Sequence, residues 1–323
     1  MYDYQNNITL NNNLEIFQES GRTHIEILEI PAINQDMINK INVFFLVKNE
    51  LKNWQGAYLY FSNNNQKSYT ILNETKTLST IGNVLNISSN VKPYYFDCKN
   101  KLKINFNNEV DTDLLLNIDN YELFNGVNLA IYGNEIIQFK NIVLNEDGTY
   151  TISNLLRGLF DTEKEINNHK EFDRFIILND SVLRQEFNYD KIDFNYSYKA
   201  VSIGNDMNTV DNIIYTLKGT NLKPFKPCHF RYKKFDNYVR FEWSEKGRGY
   251  VNWASNRDYM SVENVEKYYL KIVKDGKTVY STYVVGVRSF DYYFEGVEFP
   301  FIVRLCQVND LYGFGDFVEA DVK

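Results

Sequence analysis

NLAIYGNEIIQFKNIVLNEDGTYTISNLLRGLFDTE, residues 128–163, reads as three β-strands joined by two tight turns. The first strand is the short apolar run Leu129–Tyr132, and Gly133-Asn134 is a two-residue hairpin signal. Glu135–Leu144 then carries the chain back along the first strand. The pattern predicts an antiparallel pair at the centre of a β domain.

A second hairpin is predicted at Asp147-Gly148, because such pairs accept the positive φ that type I′ turns require. The third strand begins at Thr149 and is rich in β-branched and aromatic residues, which favour strands. It is predicted to stop at residues 155–158.

The residue types of this stretch, NxAxxGxEIIQF and then GxYxxSxLLRGxxxTE, form a long pattern that plain β alternation does not produce. The pattern resembles a region of the tail-tip proteins of tailed phages and gene transfer agents, the baseplate components called megatron or host-specificity proteins. Residues 159–161 depart from that family, which often has basic residues and a glycine there. The motif positions, to which the resemblance gives a structural role, are Gly133, Glu135, Gln138, Phe139, Leu156, Arg157, Gly158, Thr162 and Glu163.

Composition sets limits on the class of protein. The chain has 323 residues, of which 44% are hydrophobic and 24% charged, as in ordinary globular domains. Its formal net charge of -7 argues against bulk nucleic-acid binding, which needs a basic surface. No apolar run approaches the roughly 20 residues that cross a bilayer, so no membrane insertion is expected. Cys98, Cys228 and Cys306 lack metal-binding spacing, and we expect them to be reduced and partly buried.

Before the central hairpins, Ile41–Lys48 is a continuous apolar run, typical of a strand buried on both faces. Residues 54–62 form a second stretch similar to the tail-tip family. Trp54 and Tyr60 in this stretch suggest a sugar-stacking platform, but ordinary sheet aromatics are the favoured interpretation.

Pro224 and Pro227 indicate a domain boundary, and beyond them the chain resembles a fibronectin type III module. Trp243 is its expected core tryptophan, and about seven strands separated by regular turns predict a sandwich. The expected fold is therefore mainly β. One or two antiparallel β domains over residues 1–220 precede a fibronectin type III-like β-sandwich over residues 221–323.

An insertion between the second and third sandwich strands contains Arg248, Tyr250 and Trp253. Exposed Arg and Trp are common interface anchors, so these three residues are candidate contacts with a partner or host. The alternative is that Trp253 plugs the open end of the sandwich, and the sequence leaves both open.

No catalytic constellation stands out, so we expect no enzyme activity, no metal and no cofactor. His24, His169 and His229 are the histidines, and no two of them lie within metal-ligand spacing. Glu135 and Glu163 would be the candidate catalytic carboxylates of a hydrolase. Each is better interpreted as the partner of a nearby basic group or backbone amide.

The resemblance implies a structural component of a phage or gene-transfer-agent tail tip or baseplate, located in the virion and made in the bacterial cytoplasm. Its expected partners are other tail-hub proteins, copies of itself in a trimer, and a host receptor or glycan. Family members usually carry a hub region before this part, so a split gene product or a C-terminal portion is expected. The competing hypothesis is a glycan-binding module with a stacking face of Trp54, Tyr58, Tyr250 and Trp253.

Overall fold

The computed structural model of the protein describes residues 21–51, 53–63, 66–89, 91–93, 95–108, 116–248, 263, 265–293 and 299–323. The elements that precede the C-terminal sandwich are β1 (His24–Leu28), β2 (Ile41–Lys48), β3 (Ala57–Ser62), β4 (Thr70–Thr75), β5 (Ile81–Val84), β6 (Phe96–Phe106), α1 (Asn120–Phe124), β7 (Leu129–Tyr132), β8 (Glu135–Leu144), β9 (Tyr150–Leu159), β10 (Arg174–Ile177), β11 (Leu183–Phe187), β12 (Asn195–Ser202) and β13 (Ile213–Thr216). Those of the sandwich are β14 (Cys228–Lys234), β15 (Tyr238–Ser244), β16 (Lys267–Lys274), β17 (Lys277–Val285), β18 (Ser289–Tyr293), β19 (Phe301–Asn309), β20 (Gly313–Phe314) and β21 (Val318–Val322).

The strands β5 to β10 close into an antiparallel barrel in the order β10-β5-β6-β9-β8-β7. Side chains alternate across each strand, so every second residue points into the barrel. Leu102, Phe139 and Phe175 are fully buried in this interior. The quoted stretch supplies β7, β8 and β9, which are three of the six strands.

Strand β2 lies between the barrel and the sheet β13-β12-β3-β4, so both of its faces are buried. It pairs with β1 and β11 in a three-stranded sheet. Val43 and Phe45 point toward the sheet β13-β12-β3-β4, where they meet Leu59 and Tyr198. Leu46, on the opposite face, packs on the side chains outside the barrel. The expectation of a strand buried on both faces is confirmed.

The C-terminal strands form two facing sheets. One has the order β14-β15-β18, and the other has the order β17-β16-β19 with β20 and β21 paired to β19. Trp243 lies between them, 5% exposed, with its ring edge-on to Tyr268. This division of strands is that of a fibronectin type III-like sandwich, and the mainly β fold class is confirmed.

Polar contacts attach the sandwich to the preceding strands. Lys246, just after β15, forms ion pairs with Asp161 and Glu163 from the segment after β9. Asp316, before β21, forms ion pairs with Lys164 at 3.0 Å and Lys223 at 2.5 Å. The proposed domain boundary at residues 220–221 remains a prediction.

Three details differ from the sequence-based expectation. Strand β9 continues to Leu159 instead of stopping at residues 155–158, because Glu135 binds the Arg157 side chain and the Gly158 amide. In the two barrel turns the glycine alone takes a positive φ. Both positive φ values of a type I′ turn occur instead at Asp275-Gly276, between β16 and β17.

The described helices are all short. None of them combines the length and the apolar character that a bilayer-spanning helix needs.

Candidate functional site

One end of the barrel is closed by buried charged side chains. The ends of β5, β7 and β9 and the starts of β6, β8 and β10 meet there, because neighbouring strands run in opposite directions. The charged cap, as we call it, consists of Asp97, Glu135, Arg157, His169 and Asp173. Such a set of ionisable groups is expensive to bury unless every charge is paired.

Glu135 is the centre of the charged cap and is fully buried. Its carboxylate accepts hydrogen bonds from Arg157 Nε at 2.8 Å and Nη2 at 2.7 Å, a two-point contact. The backbone N–H of Gly158 donates to the same carboxylate at 2.6 Å, and His169 Nε2 lies 2.6 Å from it. The interpretation of Glu135 as the partner of a basic group and a backbone amide is confirmed.

Arg157 connects Glu135 to the start of β6. Its Nη1 lies 3.4 Å from Asp97 Oδ2, and Nη2 donates to Ser88 Oγ at 3.3 Å. Asp97 also accepts from the backbone N–H of Asn100, at an irregularity in the pairing of β6 with β9. The guanidinium therefore ties three strands together at this end of the barrel.

His169 covers the cap from the outside. Its ring stacks on the Tyr132 ring with 3.5 Å between centroids and 1° between planes. Nδ1 lies 3.1 Å from Asp173 Oδ2, and the other ring nitrogen faces Glu135. Burial raises the pKa of the Tyr132 hydroxyl, consistent with a site from which water is largely excluded.

The remaining motif positions also have structural contacts. Thr162 Oγ1 accepts from the Ile136 N–H at 3.0 Å, and Gln138 Nε2 donates to the Leu123 carbonyl in α1 at 2.7 Å. Phe139 lies in the barrel interior, and Leu156 pairs in register with Gln138. Glu163 binds Lys246 of the sandwich, as expected of a structural carboxylate.

The side chains of the charged cap bind one another and the backbone of the barrel strands. Both oxygens of Glu135 and both ring nitrogens of His169 have hydrogen-bond partners inside the cap. Across the described residues, no group of three or more His, Cys, Asp or Glu side chains has the geometry to hold a metal ion. Burial raises the pKa of the Cys306 thiol to about 12, which makes it a poor nucleophile.

Sequence reasoning missed three members of the cap: Asp97, His169 and Asp173. Asp97 lies 60 positions from Arg157, and His169 lies 34 positions from Glu135. One signal was available, because His169 stands in a polar loop directly after the motif.

Of the three residues predicted to contact a partner or host, the structure describes only Arg248. Arg248 is 2% exposed, and it donates to Glu263 Oε1 at 2.7 Å and to the Asn221 carbonyl at 2.9 Å. Its proposed place on an exposed contact surface is therefore wrong, because the guanidinium is used inside the chain. Tyr250 and Trp253 lie outside the described residues.

The aromatic residues considered for glycan binding, Trp54, Tyr58 and Tyr60, have different surroundings. Trp54 is partly buried, and its Nε1 donates to Thr23 Oγ1 at 2.8 Å. Tyr58 and Tyr60 lie side by side on the outer face of β3, with 6.4 Å between ring centroids.

Residues 79–176 match the family model described as "Rcc01698-like, C-terminal". The matched segment runs from just before β5 almost to the end of β10, so it coincides with the barrel and includes the whole charged cap. It is less than half of the chain.

Other comparisons add little. No curated protein matches the chain. A crystal structure of the chicken CNTN1 FN1-FN3 domains aligns with 94% of this chain and 99% of its own, at 10% identity and a TM-score of 0.24. An alignment at that score supports no conclusion, and the strand order alone identifies the sandwich.

Proposed function

We propose that this chain is a structural component of the tail tip or baseplate of a gene transfer agent or a related phage tail. The observation that carries the proposal is the coincidence of the barrel with the match to the Rcc01698-like family, which is associated with gene transfer agents. The residues that carry the resemblance to tail-tip proteins build the cap of that same barrel.

The internal chemistry supports a structural role. The buried charges of the cap pair with one another, and the motif residues outside it contact α1, β8 and the sandwich. We therefore assign the chain no catalytic step and no cofactor. Its proposed partners are other tail-hub proteins, with self-association into a trimer, and its proposed location is the distal end of the particle.

Cryo-electron microscopy of purified particles tests this proposal directly. An epitope tag after Lys323, an exposed terminal residue, would be labelled with gold-conjugated antibody, and untagged particles would serve as the control. We expect label and matching density at the distal tail end, in three-fold or six-fold copies. Particles that lack the chain while the cells contain it in soluble form would overturn the proposal.

A second candidate is a glycan-binding module, and the pair Tyr58 and Tyr60 favours it. Their rings stand on the outer face of a sheet, where sugar rings can stack on aromatic faces. Binding to a glycan array that disappears in the Tyr58→Ala, Tyr60→Ala double variant would support this candidate. The matched control is Tyr189→Ala, because Tyr189 is also exposed but lies on a different segment.

A further inference from the structure

Strand β17 is an exposed sheet edge of unusual composition. Among the described residues it pairs with β16 alone, and eight of its nine residues, 278–285, carry no charge. Natural proteins usually protect such edges with charged residues, short strands or bulges. The edge strand β14 of the facing sheet carries three such charges, Arg231, Lys233 and Lys234. Strand β17 has only Lys277 and one irregularity in its pairing, at Val279.

The outward side chains of β17 are large and exposed. Val279 is 47% exposed, Tyr283 51% and Val285 54%. Tyr283 continues into an aromatic row on the outer face of the sheet, since its ring lies 5.1 Å from Tyr269, which lies 5.2 Å from Phe314. Backbone groups and apolar side chains are therefore presented together along one edge.

Lysines lie beside this edge, although the chain as a whole is acidic, and one of them, Lys267, forms an ion pair with Asp310 at 3.5 Å. Lys267 pairs in register with Val285, and Lys271 pairs with Ser281, so both lysines share the outer face with Tyr283. Their Nζ atoms lie over aromatic rings, Lys267 over Tyr283 at 5.0 Å and Lys271 over Phe317 at 4.5 Å. Lys277 begins the edge strand itself.

We propose that β17 is a docking edge for an extended acidic segment of another protein, which adds as a further strand to the sandwich. Neighbouring strands lie about 4.8 Å apart, so an added strand lies about two spacings from β16. A Glu side chain opposite Ser281 would reach Lys271, and one near the start of β17 would reach Lys277. Main-chain hydrogen bonds would supply affinity and the lysines would select acidic sequences.

A second copy of this chain fits the edge less well. In an antiparallel pair of β17 strands centred on Ser281, Lys277 of one copy would oppose Val285 of the other. Lys277 would then lie about two strand spacings from the Lys267 that pairs with Val285, within reach of two extended lysine side chains, and like charges would approach across the interface. The inference does not depend on the proposed tail role, because it rests on the sandwich alone.

The test measures binding of two fluorescent peptides, each as long as β17, to the full chain. One alternates Glu with Val, and the other has Lys in place of every Glu. We expect the acidic peptide to bind, the basic one to bind at least about tenfold more weakly, and amide hydrogen exchange in residues 277–285 to slow on binding. The double variant Lys271→Glu, Lys277→Glu should lose about tenfold in affinity for the acidic peptide. Lys233→Glu, on the β14 edge, is the matched control and should bind like the parent chain.

Three results would overturn the proposal. One is equal binding of the two peptides, or no binding of either. Another is a concentration-dependent dimer that protects residues 277–285 without peptide, which would assign the edge to a second copy. The third is tight binding of an acidic polysaccharide with no protection of the β17 amides, which would assign the face to sugars. Circular dichroism of each variant separates these results from loss of fold.

Discussion

Glu135 and Arg157 are 22 positions apart in sequence, and their contact is the centre of the cap at one end of the barrel. We expect Glu135→Gln to lower the free energy of unfolding by about 3–5 kcal/mol, because the buried Arg157 charge loses its two-point partner and keeps only Asp97, at 3.4 Å. Urea denaturation followed by circular dichroism measures this loss. Glu146→Gln, an exposed change on the β8–β9 turn, is the control and should stay within about 0.5 kcal/mol.

The pair also makes a test of coupling. Combining Glu135→Gln with Arg157→Met should cost less than the sum of the two single changes, since each single change already breaks the contact between the two side chains. Strict additivity would show that the two side chains do not act as a unit.

Asp316 should make the folded chain sensitive to acid. Burial alone would raise the pKa of its carboxyl, but hydrogen bonds and attraction from Lys223 and Lys164 outweigh burial and hold this pKa below its ordinary value. The folded-state pKa is depressed, so the stabilisation is present above the unfolded-state pKa and is lost as the pH falls through the folded-state pKa. We expect Asp316→Asn to be less stable than the parent chain at pH 7, with the difference narrowing below about pH 4. Urea midpoints from pH 7 to pH 3 would show this, and a constant difference would contradict it.

Some of these side-chain contacts could be predicted from the sequence, and others could not. The resemblance gives Glu135, Arg157, Gly158 and Thr162 a structural role, and all four make hydrogen bonds within the chain. Their charged partners came from distant segments, and no spacing rule connects Asp97 to Arg157 across 60 positions. Arg248 was misjudged for the same reason, because its acceptors are carbonyls of Ile38 and Asn221 and the carboxylate of Glu263.

At the scale of elements, β9 depends on a glycine near its end. Gly158 has a φ of 66°, and a Cβ there would lie 2.8 Å from the Glu163 Cα. Gly148, in the turn before β9, has a φ of 80° but open space around it. We expect Gly148→Ala to cost roughly 1–3 kcal/mol for the left-handed backbone alone, and Gly158→Ala to cost clearly more because of the added backbone clash. Thermal unfolding of both variants measures the difference, and equal losses would contradict the close contact at Gly158.

The bounds of strands were predicted best where short-range sequence patterns alone determine them. The bounds of β2, β7 and β8 agree with the runs read from the sequence, since each is a well-bounded strand pattern. The end of β9 was placed too early, because the sequence shows Arg157-Gly158 as a polar stop while the structure uses both groups inside the barrel. Closure of β5 to β10 into a barrel could not be predicted, because it depends on the pairing of β10 with both β5 and β7.

At the scale of the whole molecule, Lys246 fastens the sandwich to the segment after β9. Burial of its ammonium opposes the charge, but attraction and hydrogen bonds from Asp161 and Glu163 outweigh burial, and the pKa of Lys246 lies above its ordinary value. We expect Lys246→Met to cost about 3 kcal/mol or more, because Asp161 and Glu163 both lose their ion pair with the Lys246 ammonium. Calorimetry should show the sandwich and the preceding strands melting further apart than in the parent chain.

Lys191→Met is the matched control for that change. Lys191 pairs with Asp190 at 3.0 Å on the exposed surface, where water screens the attraction and such pairs contribute little to stability. If both variants melt alike, the Lys246 contacts do not hold the two parts together.

The order of the strands has a consequence for the evolution and the synthesis of this chain. The two sheets beside the barrel, together the host layer, combine β1 to β4, which precede the barrel in sequence, with β11 to β13, which follow it. The barrel segment is thus a nested insertion, and its two ends meet, since the Ile177 N–H donates to the Thr80 carbonyl at 3.0 Å. On the ribosome the insertion is complete before its host layer, which waits for β11 to pair with β2. The same arrangement lets evolution exchange one inserted module for another without moving the points at which the host layer is joined.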